Sequence, residues 1–198
     1  MKGETVDLQS TSDLVTQLQN GSLEALGNLY SRYNRMVYRT AYAITGDADA
    51  ASDLLQDVFL RLHRYAARID TRRPLEPWLY RMTANLSYTW VKRRRWLRPL
   101  DEVAEWIAGE KRNLLQHQAE LNDERHQIQR AIGSLPLQQR VVVVFYYIND
   151  LSLQEIADIL EVPVGTVKSR LHYGRKSLKK LLGPQGEEIL TEARYEFT

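Results

Sequence analysis

The sequence predicts an all-α fold: two small helical domains joined by a linker, the C-terminal one containing a helix-turn-helix. Three observations carry this. Apolar residues recur at three- and four-residue intervals in one segment after another. A stretch of mixed composition, residues 99–122, separates two groups of such segments. Residues 152–181, SLQEIADILEVPVGTVKSRLHYGRKSLKKL, read as two helices joined by a tight turn.

In chain order, residues 1–21 read as an N-terminal leader, with a short helix at residues 13–18 closed by Asn20-Gly21. The first domain spans residues 22–98. Ser22 can cap a helix in which Leu23, Leu26, Leu29, Tyr30, Tyr33, Val37 and Ala41 recur at helical spacing. Thr45-Gly46-Asp47 breaks the pattern. Asp47 or Asp49 starts a second helix, to about Ala67, with Leu54, Leu55, Val58, Phe59 and Leu62 as its apolar stripe. Asp53 and Asp57, four apart, share one helical face. No His or further carboxylate stands at ligand spacing beside them, so they read as an acidic docking or solvated face and not as a metal site.

Residues 69–77 form a loop, since Pro74 and Pro77 prevent a helix from running through it; Arg72 and Arg73 make it basic. A third helix runs from near Pro77 to about Trp96, with Trp78, Leu79, Met82, Leu86 and Trp90 on its apolar side. No acid occurs between Glu76 and Asp101, while Arg81, Lys92, Arg93, Arg94, Arg95 and Arg98 are basic. Cations interleaved with Trp78, Tyr80, Tyr88, Trp90 and Trp96 suit nucleic acid: charges meet phosphates, and rings stack on unpaired bases.

Residues 99–122 are the linker, in which Leu100, Val103, Trp106 and Ile107 could dock as a short helix. The second domain spans residues 123–183. Ile128, Ala131, Ile132 and Leu135 mark its first helix. Residues 136–147 contain four consecutive valines, a strand signal by propensity. Helix is the better reading, because a lone strand among helices lacks a pairing partner. Asn149-Asp150 turns the chain into the helix pair. Ser152 with Glu155 three residues on makes a capping box. Glu161-Val162-Pro163 interrupts the pattern, and proline suits the first turn of the next helix. Val164, Val167 and Leu171 point inward there, leaving Lys168, Ser169, Arg170, His172, Tyr173, Arg175 and Lys176 largely outside. No acid lies between Glu161 and Glu187. A basic second helix after a sharp turn fits the unit that lays that helix in the DNA major groove. A merely solvated basic face is the alternative. Residues 184–198 form a net acidic tail, which could contact a basic face in cis.

The bulk properties exclude several classes. With no cysteine there are no disulfides, thiol nucleophiles or cysteine-ligated metals. The N-terminus lacks the apolar core of a signal peptide, and the longest apolar run, residues 141–148, is far short of a bilayer span. A cytoplasmic protein without membrane insertion is expected. There is no phosphate-binding Gly loop, no HExxH and no Ser/His/Asp spacing. No enzyme activity, catalytic residue, metal or cofactor is expected.

The order of parts resembles the extracytoplasmic-function group of RNA polymerase sigma factors, over roughly residues 22–182. AASDLLQDVFLRLH (residues 50–63) is similar to that family's region 2.2, PWLYRMTANLSYTWVKRRR (residues 77–95) to regions 2.3 and 2.4, and residues 135–182, with GTVKSRLHYGRK, to region 4. The resemblance implies a factor that binds core RNA polymerase (clamp coiled coil and flap) and promoter DNA and is silenced by an anti-sigma factor. It implies that Asp53, Gln56, Asp57 and Phe59 face the clamp. Trp78 and Asn85, with the 69–77 loop, would capture an unpaired −10 base, and Arg93, Arg94 and Arg95 would hold backbone phosphate. Lys168, Ser169, His172 and Tyr173 would meet the −35 element, with Arg170 and Arg175 nearer phosphates. Leu137, Val164 and the two-proline loop depart from the family's usual pattern. The competing class is a helix-turn-helix regulator that acts without joining polymerase; it leaves the Asp53/Asp57 face unexplained. Free protein is expected to bind promoter DNA poorly, since two small basic faces must be aligned together.

Overall fold

The computed structural model describes residues 9–96 and 122–183. The expectations for residues 1–8, for most of the linker and for the 184–198 tail lie outside the described residues, as do Arg98 and the side chains of Arg95 and Trp96. The described residues are helical, with no strand among them.

The first domain comprises α1 (Thr11–Gln19), α2 (Leu23–Thr45), α3 (Ala48–Tyr65) with a 3₁₀ turn at Ala66–Arg68, and α4 (Glu76–Trp96). Side-chain oxygens satisfy orphan N–H groups at three starts: Ser10 accepts from Asp13 N, Ser22 from Ala25 N and Asp47 from Ala50 N. α2 ends on Gly46, whose φ of 71° lies in the left-handed region that favours glycine. The short helix expected at residues 13–18 is present as α1, starting two residues earlier, and it packs against the helices that follow. Leu14, Val15 and Leu18 are buried in one core with Leu29, Val37, Leu54, Val58, Leu62 and Leu79. Apolar residues at i, i+1 and i+4 give even this short helix a face to bury.

The second domain comprises α5 (Asn122–Ser134), α6 (Leu137–Val143) running into a π-helical turn at Val144–Ile148, α7 (Leu153–Leu160) and α8 (Val164–Leu182). The valine run is helical, as expected. Residues 141–145 are all buried, so the segment is apolar around its whole circumference and packing overrides strand propensity.

The two domains dock on each other. Ala43 and Ile44 of α2 and Tyr80 and Ala84 of α4 belong to the core built by the second domain, with the Tyr80 ring edge-on to Phe145 at 5.5 Å between centroids. Polar contacts surround this seam. Gln129 Nε2 donates to the carbonyls of Tyr42 (3.1 Å) and Ala43 (3.3 Å), and Arg140 Nη1 to that of Ile44 (2.7 Å). These carbonyls sit in the last turn of α2, where the dipole favours a cation such as Arg140; that of Tyr42 also accepts from Gly46 N (2.8 Å). Asn149 Nδ2 donates to Thr40 Oγ1 (2.9 Å), and Arg39 Nη2 to Ile148 O (3.0 Å). At the rim Arg81 of α4 grips both carboxylate oxygens of Glu161, at the end of α7. α4 is therefore covered on two sides, Leu79 and Leu86 by its own domain and Tyr80 and Ala84 by the other.

Candidate nucleic-acid interface

The helix-turn-helix forms as its sequence dictates. Ser152 Oγ accepts from Glu155 N (3.2 Å), and Glu155 Oε2 accepts from Ser152 N (2.8 Å). Hydrogen bonding to its carboxylate by the Ser152 side chain, and then by Ser152 N–H, holds the Glu155 carboxyl below its ordinary pKa. α7 ends on Glu161 at φ 53°, a left-handed residue that makes the sharp turn. Pro163 then starts α8, and its carbonyl accepts from Thr166 N (2.8 Å) and Val167 N (3.2 Å).

α8 buries Val167, Leu171, Gly174 and Leu178. Gly174 is small for a reason: a Cβ there would lie 2.8 Å from Val143 Cγ2, so α8 sits directly on α6. The opposite side exposes Lys168, Ser169, His172, Tyr173, Lys176, Lys179 and Lys180. Ser169 Oγ donates back to Thr166 O (3.0 Å). Arg170 is half-buried. Arg175 differs from the expectation. It is half-buried, its Nε donates to Tyr147 Oη (2.7 Å), and its guanidinium lies 5.1 Å from the Tyr146 ring centre. It braces α8 against the turn after α6 through bonds that spacing along α8 does not reveal.

On α4, Asn85 and Arg93 are exposed and Trp78 is half-buried beside the first core. Arg94 is exposed but engaged: it pairs with Asp47, the cap of α3, and stacks 5.0 Å from the Trp90 ring centre. The Asp47 carboxyl is held below its ordinary pKa, first by the Ala50 N–H and then by Arg94. Lys92 lies 4.9 Å from the Tyr88 ring centre. Tyr80 is not an outward platform; it is sealed in the domain seam, and burial pushes its hydroxyl pKa up.

On α3, Asp53, Gln56 and Asp57 are exposed on one face. Phe59 is not on that face. It is 5% exposed and packs edge-on to Tyr30 at 4.9 Å, because position 59 falls on the same stripe as Leu55 and Leu62. Leu60 takes the outward place and is 66% exposed. The spacing 53, 56, 57, 60 is i, i+3, i+4, i+7, and a leucine off the buried stripe was the signal available in the sequence.

Family models match both halves: Sigma-70 region 2 over residues 29–97 and Sigma-70 region 4 over residues 125–178. The chain is 33% identical over 178 residues to the ECF RNA polymerase sigma factor SigW of Bacillus subtilis, covering 85% of this chain and 94% of that protein. The chain belongs to the ECF family of RNA polymerase sigma factors. The fold agrees. CnrH, solved with the cytosolic domain of CnrY, superposes with a TM-score of 0.65 at 22% identity, over 88% of this sigma factor and 97% of that chain. The sigma factor RpoE of Bartonella quintana, solved with the anti-sigma factor NepR, gives 0.61 at 19% identity, over 82% and 99%. Among the described residues of this sigma factor, no helix is long and apolar enough to cross a membrane, and no group of three or more His, Asp or Glu could hold a metal ion.

Proposed function

We infer that this sigma factor binds core RNA polymerase and directs promoter-specific initiation, α8 reading the −35 element and α4 with its preceding loop capturing unpaired −10 bases. One observation carries the reading: a single chain bears an exposed basic recognition helix and, a hundred residues earlier, the separate exposed face of Asp53, Gln56, Asp57 and Leu60. A regulator that never joins polymerase needs the first and has no use for the second.

The physics assigns the roles. Lys168, His172 and Tyr173 project from one side of a helix that fits the major groove, where base edges are distinguishable. Arg170, half-buried at the margin, suits a phosphate. Arg175 acts as a brace beneath α8. Arg93 is exposed toward backbone phosphate, with Arg95 beside it in sequence, and Arg94 reaches a phosphate only by leaving Asp47. Flipping a base costs a few kcal/mol of stacking, so the receiving site must be preformed; Trp78 and Asn85, on one helix behind a fixed loop, suit that task. Asp53, Gln56 and Asp57, ringing the exposed Leu60, suit a basic polymerase surface with an apolar centre. Phe59 supports that face from beneath. The chain supplies recognition and has no catalytic activity of its own; the chemistry is polymerase's. An anti-sigma protein is the second partner we propose.

The test is transcription in vitro with purified bacterial core polymerase on a genomic fragment library. The expected result is initiation at promoters sharing −35 and −10 motifs, abolished by Asp57→Arg together with polymerase binding. Promoter binding that is unaffected by Asp57→Arg, with no transcription from core polymerase, would support the independent regulator instead.

A further inference from the structure

The loop between α3 and α4 is held from outside by α1. Gln19, the last residue of α1, donates from one amide nitrogen to two carbonyls, Ala66 O (3.1 Å) and Ile69 O (2.9 Å). Ser12, one helix length earlier, donates from Oγ to Thr71 O (2.9 Å). The far end of the loop is tied to the same helix through a relay. Arg32 donates to Thr11 Oγ1 (2.9 Å), Thr11 meets Tyr33 Oη (2.8 Å), and Tyr33 donates to Glu76 Oε1 (2.7 Å) in the first turn of α4. α1 is itself fixed by buried Leu14, Val15 and Leu18. A helix anchored on one side thus touches the loop at its start, its middle and, through Tyr33, its end.

The loop so held packs Leu75 into the core and turns its two arginines outward. Asp70 accepts from Arg72 N (3.1 Å), Nε (2.9 Å) and Nη2 (3.1 Å), which closes a tight turn. That turn leaves the side chains of Arg72 and Arg73 88% and 84% exposed, while Leu75 behind them is buried. Both guanidinium groups also pair with Asp70, Arg73 Nε at 3.7 Å, so Asp70 fixes where the two exposed cations sit beside the −10 reader. The matched region of the family model begins at residue 29, so α1 lies ahead of it.

We propose that α1 is a positioning element of the −10 reader, with Gln19 as the residue that sets the loop's conformation and thereby the discrimination among −10 bases. The proposal rests on the −10 role assigned above to the loop and α4. Gln19 touches no DNA. It acts through the Ala66 and Ile69 carbonyls, and Ser12 acts in the same sense on Thr71. Loss of both Gln19 bonds frees the loop to sample other conformations, so that capture of the preferred base must again bear the cost of ordering it.

The experiment uses the full chain with core polymerase and a promoter panel in which each −10 base and each −35 base is substituted in turn. Gln19→Leu keeps the size and removes the donor. It is expected to reduce transcription from the best −10 sequence about tenfold, equivalent to about 1.4 kcal/mol. Discrimination among −10 bases should flatten while the −35 profile, polymerase affinity and thermal midpoint stay as in wild type. Gln19→Lys, which can donate to the same carbonyls, should restore the −10 profile. Ser12→Ala, an exposed change without folding risk, should shift the −10 profile in the same direction by less. An unchanged −10 profile in Gln19→Leu and Ser12→Ala overturns the proposal. So does a parallel loss of −10 and −35 discrimination with a lowered midpoint, which marks a role in stability alone. A wild-type chain that initiates nowhere with core polymerase overturns the reading of function, and this inference with it.

Discussion

Arg140 of the second domain donates through Nη1 to the carbonyl of Ile44, in the last turn of α2 of the first domain, at 2.7 Å. The same guanidinium uses Nη2 to reach the carbonyls of Gly133 and Leu135, the latter at 3.2 Å. One buried cation, 9% exposed, thereby ties α6 to the end of α5 and to the end of α2. Hydrogen bonds to a charged group contribute more than neutral ones, and the carbonyls left behind would lose their partner away from water. Arg140→Met should therefore lower unfolding free energy by about 2–4 kcal/mol. It should also split one denaturant transition into two as the domains uncouple, read by circular dichroism and tryptophan fluorescence together. Coincident, unshifted transitions would contradict the role.

At the rim of the same seam, Arg81 and Glu161 form a bidentate pair between residues 80 positions apart. Both are substantially exposed, so the pair contributes about 0–1 kcal/mol and weakens with salt. Glu161→Arg should loosen the docking, and small-angle scattering should show a larger radius of gyration. The docked form carries a functional consequence. A compact body of about 150 residues has a radius of gyration of about 15 Å. Promoter elements about 25 base pairs apart are separated by about 85 Å. The chain has no cysteine of its own, so Arg81→Cys with Glu161→Cys can be bridged specifically by a short cleavable cross-linker. The bridged protein should fail to initiate at −35/−10 promoters, and cleavage of the bridge should restore initiation. Full activity while bridged would show that reading both elements needs no separation of the domains.

The approach of α8 to α6 leaves no room at Gly174, where an added Cβ meets Val143 Cγ2 at 2.8 Å. Both partners are buried and the neighbour is a stiff β-branched side chain, so the backbone must shift. Gly174→Ala should cost about 1–3 kcal/mol and weaken −35 binding through displacement of the whole helix. Gly165, with nothing within 4 Å of its would-be Cβ, is the contrast. Gly165→Ala should be neutral to stabilising, by up to about 1 kcal/mol. Thermal melts of the two variants side by side decide the matter.

The features legible in the sequence are those written locally. Ser22, Asp47 and the Ser152/Glu155 box each act within three residues of their own position, and each caps the helix expected of it. The valine run yielded because the absence of any pairing strand is also visible in the pattern. What escaped is non-local. Periodicity assigns α4 one apolar side, yet Tyr80 and Ala84 bury a second one against a domain whose position no spacing reveals. Arg94 reads as free cation until Asp47, 47 residues away, is brought beside it. Phe59 and Leu60 are adjacent and both apolar, and only their angles on the helix decide that one is core and the other surface. Gln19, polar at a helix end, carried no signal at all, since its partners are backbone carbonyls about 50 positions on.

The Asp70 carboxyl offers a direct measure of loop geometry. The Arg72 guanidinium and N–H hold its pKa down to about 2, against about 3.9 for a free aspartate. A folded-state pKa below the unfolded one stabilises the folded loop above pH of about 4, and that contribution is lost as pH falls from there toward 2. Loop order, followed by amide exchange at Arg72 and Arg73, should therefore hold at neutral pH and decline only in that acidic window. Arg72→Ala should return the Asp70 titration, followed by carboxyl NMR, toward the ordinary range. At neutral pH Asp70 stays ionised in either form. Any loss of −10 discrimination in Arg72→Ala at that pH therefore reports the broken turn and the missing cation, not a change of protonation. An Asp70 titration unmoved by Arg72→Ala would mean that the bidentate pair does not shape the loop in solution.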